Sequence, residues 1–333
     1  VTNVLDIPRT YGNWMLLSNS RAKTFRRCEK QFEFKYVLGL KPKSRALALE
    51  RGSWLHRLLE VHYDGGDWRA EHKKLSDEFN SLFIEEREEL GDLPAECERI
   101  MLSYIMNYKD DPDYYRVLDT ELDEIITLPN GLKFRMIIDK IVEEPDGGIW
   151  IVDYKTVKNF LPPDFMLLDA QLARYFWGAE KFGFKPLRGI IFDEICTKPP
   201  TLPEVLKDGS LSLRKNIQCD YMTYYREIKR RGLDVKPYLP HLRYLKAQNH
   251  KWFRRTPLAK DRPLVRQQMR ELIMTAREMR KAEELGQFPR TPMKDCRWDC
   301  SFLEPCTIQL MGGDISDTLK LRYTTRSQRA EDE

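Results

Sequence analysis

The spacing of apolar and polar positions changes character along the chain. Residues 18–38, SNSRAKTFRRCEKQFEFKYVL, set Phe25, Cys28, Phe32 and Tyr36 at helical intervals behind a Ser or Asn cap. Residues 46–63 predict a second helix, and 69–107 one or two more, interrupted near Gly91 and Pro94. The pattern then turns strand-like. Residues 121–128 (ELDEIITL), 132–143 (LKFRMIIDKIVE) and 149–155 (IWIVDYK) predict three strands, parted by Pro-Asn-Gly and Pro-Asp-Gly-Gly, both hairpin signals. A helix over 164–182, a strand over 187–195 and a long helix over 259–286 follow. A cysteine-bearing loop at 288–310 and a charged tail at 311–333, expected to fray, complete the chain. We find no repeats and no low-complexity linker. The order predicts one domain with an α/β core (118–196), a helical N-terminal part (18–110) and a basic helical part (197–287).

The bulk numbers narrow the class. The chain has 333 residues, 41% hydrophobic and 32% charged, a composition for a soluble globular protein. There is no run of 18 apolar residues and no basic-then-apolar leader pattern, so no membrane span is expected and a cytoplasmic location is. The net charge of +4 hides an asymmetry: residues 214–281 carry 19 Lys or Arg against 6 Asp or Glu, +13, which leaves −9 for the rest. Tyr221, Tyr224, Tyr225, Tyr244, Trp252 and Phe253 are interleaved with these cations. Such a block serves a nucleic-acid groove, with Arg230, Arg231, Lys251, Trp252, Arg254 and Arg255 as contacts, or equally a solvated helical face over core aromatics.

Candidate chemistry centres on IVDYKT, residues 151–156. Strand alternation puts Asp153 and Lys155 on one face. Asp139 ends the preceding strand, and pairing through the PDGG turn would bring the two carboxylates together. Close carboxylates resist joint ionisation unless a cation lies between them, and a hard divalent ion such as Mg²⁺ or Mn²⁺ removes that conflict. A lysine beside them suits phosphodiester hydrolysis. The bland alternative pairs Asp139 with Lys140 or Arg135, and Asp153 with Lys155, on a solvated sheet. Upstream, Gly52, His56 and Glu60 share a helical face, and His56 could ligate a metal. Downstream, Gln171 and Tyr175 share another.

In this order the pieces resemble the RecB-like branch of the PD-(D/E)xK nucleases over roughly residues 50–180. The resemblance implies a restriction-endonuclease-like mixed sheet flanked by helices. It also implies His56, Asp139 and Asp153 as metal ligands, Lys155 as a catalytic residue, Gln171 and Tyr175 in the site, and Glu60 behind it.

Cys296, Cys300 and Cys306 fall within one short C-terminal stretch, a soft-ligand pattern that lacks a fourth donor nearby; Cys28 is the candidate. Four thiolates suit zinc as well as an iron–sulfur cluster. The resemblance favours a 4Fe-4S cluster joining the helical N- and C-terminal parts, as in CRISPR-adaptation nucleases, although the spacing C-x3-C-x5-C departs from the commoner C-x2-C-x5-C. Cys97, Cys196 and Cys219 read as buried residues.

The functional expectation is a metal-dependent deoxyribonuclease, more an exonuclease than an endonuclease, acting on single-stranded or end-frayed DNA in phage or mobile-element recombination, replication or repair. No phosphate-binding GxxxxGK[ST] loop is present, so a helicase or recombinase would act in trans. The alternatives are a catalytically idle DNA-binding subunit of a recombination or CRISPR-adaptation complex, and a zinc-stabilised structural protein.

Overall fold

The structure, a computed structural model, describes residues 16–128 and 131–325. It is a mixed α/β chain with a mixed sheet and many helices. Its strands are β1 (Leu16–Ser18), β2 (Leu40–Pro42), β3 (Arg116–Thr127), β4 (Lys133–Glu143), β5 (Ile149–Val157), β6 (Leu187–Cys196), β7 (Phe253–Ala259) and β8 (Tyr323–Thr325). The chain divides into two compact units, each built from separated segments: residues 46–122 with 138–260, and residues up to 45 with 123–137 and 261 onward.

In the first unit β4 and β5 are antiparallel, with Lys140 opposite Val152 and Ile141 opposite Ile151. They meet through the Pro-Asp-Gly-Gly turn, where Gly147 adopts φ 82°, a conformation side chains disfavour. β6 lies parallel to β5, and β7 antiparallel to β6. The helices Leu47–Tyr63 and Leu93–Asn107 pack their apolar stripes (Leu55, Leu58, Ile100, Tyr104) against Val152, Tyr154, Ile191 and Phe253 of the sheet. Each such side chain contributes about 1.5–3 kcal/mol of burial. Val152 and Tyr154 therefore face this core, and alternation turns Asp153 and Lys155 away from it. The helix Ala170–Lys181 is capped by Asp169, whose carboxylate accepts the Gln171 N–H at 2.9 Å.

β7 is absent from the sequence expectations. FRRTPLA holds two arginines and a proline, and neither belongs in a central strand. It is tolerated at this end of the β5–β6–β7 order because β6 supplies acids in register: Asp193 opposite Arg255, Glu194 opposite Arg254. The two acids are 0% exposed and the arginines neutralise them.

In the second unit the predicted 18–38 helix is broken. Asn19–Arg27 stops at Cys28, whose backbone is extended (φ −164°), and helical structure resumes at Glu29. The helix Arg262–Leu285 buries Val265, Met269, Leu272, Ala276 and Met279 and turns its arginines outward. Arg26 reaches Glu278, and Arg27 reaches Asp299 at 2.7 Å and Asp295 at 3.0 Å. The segment expected as a tail is ordered as far as Thr325: Ser316–Arg322 is helical, and β8 pairs with β2. Residues 326–333 of that tail, and Pro129 and Asn130 of the Pro-Asn-Gly turn, lie outside the described residues. No described helix is long and apolar enough to cross a membrane.

Candidate active site

The β4–β5 register, continued by one pair, sets Asp139 against Asp153. The backbone locks the first of them: Tyr154 N–H donates to Asp139 Oδ2 at 2.6 Å. Lys155 Nζ lies 2.7 Å from Asp153 Oδ2. His56 reaches in from the helix Leu47–Tyr63, its Nδ1 3.5 Å from Asp139 Oδ1, with its ring edge-on to Tyr154. That helix passes close over β5, where a Cβ on Gly52 would sit 3.4 Å from Thr156 Oγ1.

A further acid completes the group. Glu121, on β3, brings its carboxylate beside His56 and Asp139, and the ligand atoms of the three lie within 4.8 Å of one another. Its backbone is unusual, with φ 45° in a residue that is not glycine, a strain of about 1–3 kcal/mol that persists only where surrounding structure imposes it. The sequence reading counted Glu121 as the first residue of a strand and missed it. Asp119, Glu121 and Asp123 alternate identically along DTELD, and nothing local selects one of them.

Gln171 bridges the other side. Its Oε1 accepts from Lys155 Nζ at 3.4 Å, and its Nε2 lies 3.5 Å from Asp153 Oδ1 and also donates to the Tyr175 hydroxyl. Tyr175 is buried behind it. Glu60 accepts from Arg57 at 2.8 Å and adds negative charge near Glu121.

Protonation preferences record the crowding. Burial and then Asp139 push the Glu121 carboxyl up to about 7. Burial pushes Asp153 up to about 6, with Lys155 opposing and Asp139 adding to the rise. Burial pulls His56 down, but Asp139 reverses this and the net shift is upward. Lys155 likewise ends above its ordinary value: burial lowers it and Asp153 outweighs that. Glu121, Asp139 and His56 around one point, with the Asp153 carboxylate set beside Asp139, form a donor set that fits a hard divalent cation.

A model of the PD-(D/E)XK nuclease superfamily matches residues 16–307. The chain belongs to that superfamily. Among solved structures it is similar to a chain from Eubacterium rectale described as a "Putative exonuclease", at 11% identity and a TM-score of 0.48, covering 90% of this chain and 94% of that one. No curated protein matches.

Other expected site residues of this PD-(D/E)XK chain sit elsewhere. The Arg255 guanidinium is held inside the first unit by Asp193 (2.8 Å), Asp111 (2.6 Å) and Tyr104 (3.0 Å). Arg254 grips Glu194, and Arg230 and Arg231 both bind Glu227. Tyr224, Trp252 and Phe253 are core residues. Lys140 pairs with neither active-site acid: it is buried 3.2 Å over the Tyr63 ring, and Arg135 pairs with Asp123. Burial, then Arg255, lowers the Lys140 amine to about 7.

The four expected metal-binding cysteines all fall in the second unit. Cys28 Sγ accepts the Thr291 N–H at 3.5 Å, and Cys296 Sγ accepts the Met293 N–H at 3.4 Å. Burial, together with nearby Cys296 and Cys28, raises the Cys300 thiol. Cys300 and Cys306 pack against the Phe34–Phe302 core of that unit. The soft donor set fits a thiolate-bound metal.

Proposed function

We propose that this chain is a Mg²⁺- or Mn²⁺-dependent deoxyribonuclease that hydrolyses phosphodiester bonds in single-stranded or end-frayed DNA, as an exonuclease. One observation carries the proposal: Asp139, Glu121 and His56 converge, with Asp153 opposite Asp139 and paired to Lys155, in a chain of the PD-(D/E)XK superfamily.

Asp139, Asp153, Glu121 and His56 would hold the divalent ion, which when bound supplies Lewis acidity to a phosphate oxygen and lowers the pKa of water. Lys155, held protonated by Asp153, acts as a cation and hydrogen-bond donor. It orients the attacking water and offsets the negative charge that builds on the phosphorus oxygens. Gln171 fixes the Lys155 ammonium relative to Asp153. Tyr175 is a positioning residue, fixing Gln171 from the buried side. Cys28, Cys296, Cys300 and Cys306 would hold a 4Fe-4S cluster with a structural role. This is supported by their thiol-only chemistry and by the N–H donors aimed at two of the sulfurs.

The test is digestion of end-labelled single-stranded DNA with Mg²⁺ or Mn²⁺ by anaerobically purified protein. Metal-dependent cleavage that is lost in Lys155→Ala is expected. A folded wild type that binds DNA and never cuts it would replace this proposal with that of a DNA-binding subunit.

A further inference from the structure

A cavity of about 410 Å³ opens in the first unit, and none of the active-site residues lines it. It lies past the C-terminal ends of the parallel strands β5 and β6. Lys158 and Phe160 follow β5, Cys196 ends β6, and Lys251 and Trp252 lead into β7. Crevices at the carboxyl ends of strands are where open α/β sheets commonly take ligands.

The lining chemistry is one-sided. Lys158, Lys198, Lys215 and Lys251 all border the cavity, and no carboxylate does. Among the described residues none of these four is in an ion pair, whereas Arg99, Arg226, Arg254 and Arg255 of the same unit are each matched to an acid. Four cations gathered around one hollow repel one another and attract a polyanion. Phe160, Tyr244 and Trp252 contribute aromatic rings, and Lys215 Nζ sits 4.9 Å over the Tyr244 ring. Asn159, Asn216, Gln218 and Gln248 contribute amide groups that can read the edge of a base. Rings for stacking, amides for hydrogen bonding and ammonium groups for phosphate together describe a nucleotide site.

Size and position narrow the ligand further. A sphere of the cavity's volume is roughly 9 Å across, narrower than even the major groove alone of a DNA duplex (~12 Å), so a whole duplex cannot enter. Lys158 follows Lys155 by three residues, so their Cα atoms are at most about 11 Å apart. The rim of the cavity is thus within a few nucleotides of the candidate catalytic lysine.

We propose that this cavity takes one unpaired nucleotide of a DNA strand, the base against Tyr244 and the cavity-lining edges of Phe160 and the largely buried Trp252, and the neighbouring phosphates on the lysines. This holds single-stranded DNA at a set distance from the bond to be cut. The proposal rests on the nuclease reading only for the claim that the held strand is also the one cut.

The experiment measures anisotropy of a labelled ten-nucleotide thymidine oligomer, and of a blunt duplex of equal length, with the full chain in EDTA. The oligomer is expected to bind more tightly than the duplex. Lys215→Ala/Lys251→Ala should weaken oligomer binding at least tenfold and reduce the slope of log K against log salt by about 1.4, since each single-strand phosphate contact accounts for about 0.7. Tyr244→Ala should weaken binding at least fivefold and Tyr244→Phe should restore it, with far-UV circular dichroism checking the fold of each variant. Folded variants that bind with wild-type affinity and salt slope, or a wild type that binds no oligomer or prefers the duplex, would overturn the assignment. The two readings fail separately: cleavage by wild type with unaffected binding by the variants removes the cavity alone. Cavity-dependent binding by a wild type that never cuts removes the nuclease alone.

Discussion

Glu121 and Asp153 carry the site's most informative physics. Their carboxyls sit at about 7 and 6 in the folded, metal-free chain, against ordinary values of 4.5 and 3.8. Between those limits the native state retains protons that the unfolded chain has released, so metal-free stability is fully present below about pH 4 and falls as pH rises toward 7. A divalent ion should offset that fall by binding the charged form. The melting temperature in EDTA is expected to drop more steeply between pH 5 and pH 7.5 than in excess Mn²⁺, and Glu121→Gln should flatten the EDTA profile. Equal pH slopes with and without metal would remove the cation from this site. Saturating Mn²⁺ at a hundred times its Kd should add about 2.7 kcal/mol at neutral pH. Lys155→Ala is expected to abolish cleavage while keeping this stabilisation, because the lysine contributes no metal ligand.

At the scale of elements, the β6–β7 pair is held by opposite charges in register as well as by its ladder. Asp193 is 0% exposed and depends on Arg255, which also satisfies Asp111. Arg255→Ala strands these carboxylates and should cost about 3–5 kcal/mol in urea unfolding. Adding Asp193→Asn to that variant should recover part of the loss. If Arg255→Ala costs under about 1 kcal/mol, the pair is a solvated contact instead. The same elements explain an uneven sequence reading. β4, β5 and β6 were legible because each is an apolar run bounded by turn residues. β7 was not, because FRRTPLA acquires its strand character only from acids on β6, some 60 residues earlier.

On the whole-molecule scale, each unit draws on segments far apart in the chain. In the second unit Cys28 joins a group otherwise found at Cys296, Cys300 and Cys306. A metal cluster there would close a loop of 278 residues (306 − 28), a constraint on the unfolded chain that grows slowly with length. Protein contacts already tie the same segments: Arg27 to Asp295 and Asp299, and β2 to β8. Cys300→Ala is therefore expected to lower the melting temperature and the solubility without abolishing folding, and to lose visible absorbance. Metal analysis of the anaerobic protein should find iron; one zinc per chain would make the site mononuclear. A Cys300→Ala protein with wild-type colour and melting temperature would end the cluster proposal.

Local signals determined much of this molecule. Turn residues and apolar alternation placed β4 and β5, helical spacing placed His56 and Gln171, and the register implied by the PDGG turn was enough to bring Asp139 toward Asp153. Those are short-range consequences of backbone geometry, readable one segment at a time. Glu121, the capture of Arg255 by two buried acids, and the lysine-rimmed cavity were decided only by tertiary structure. Each depends on which charges end up beside one another after the chain has folded. A charge in sequence is the same symbol whether it will face solvent, a buried partner or a phosphate, and only burial and proximity distinguish the three.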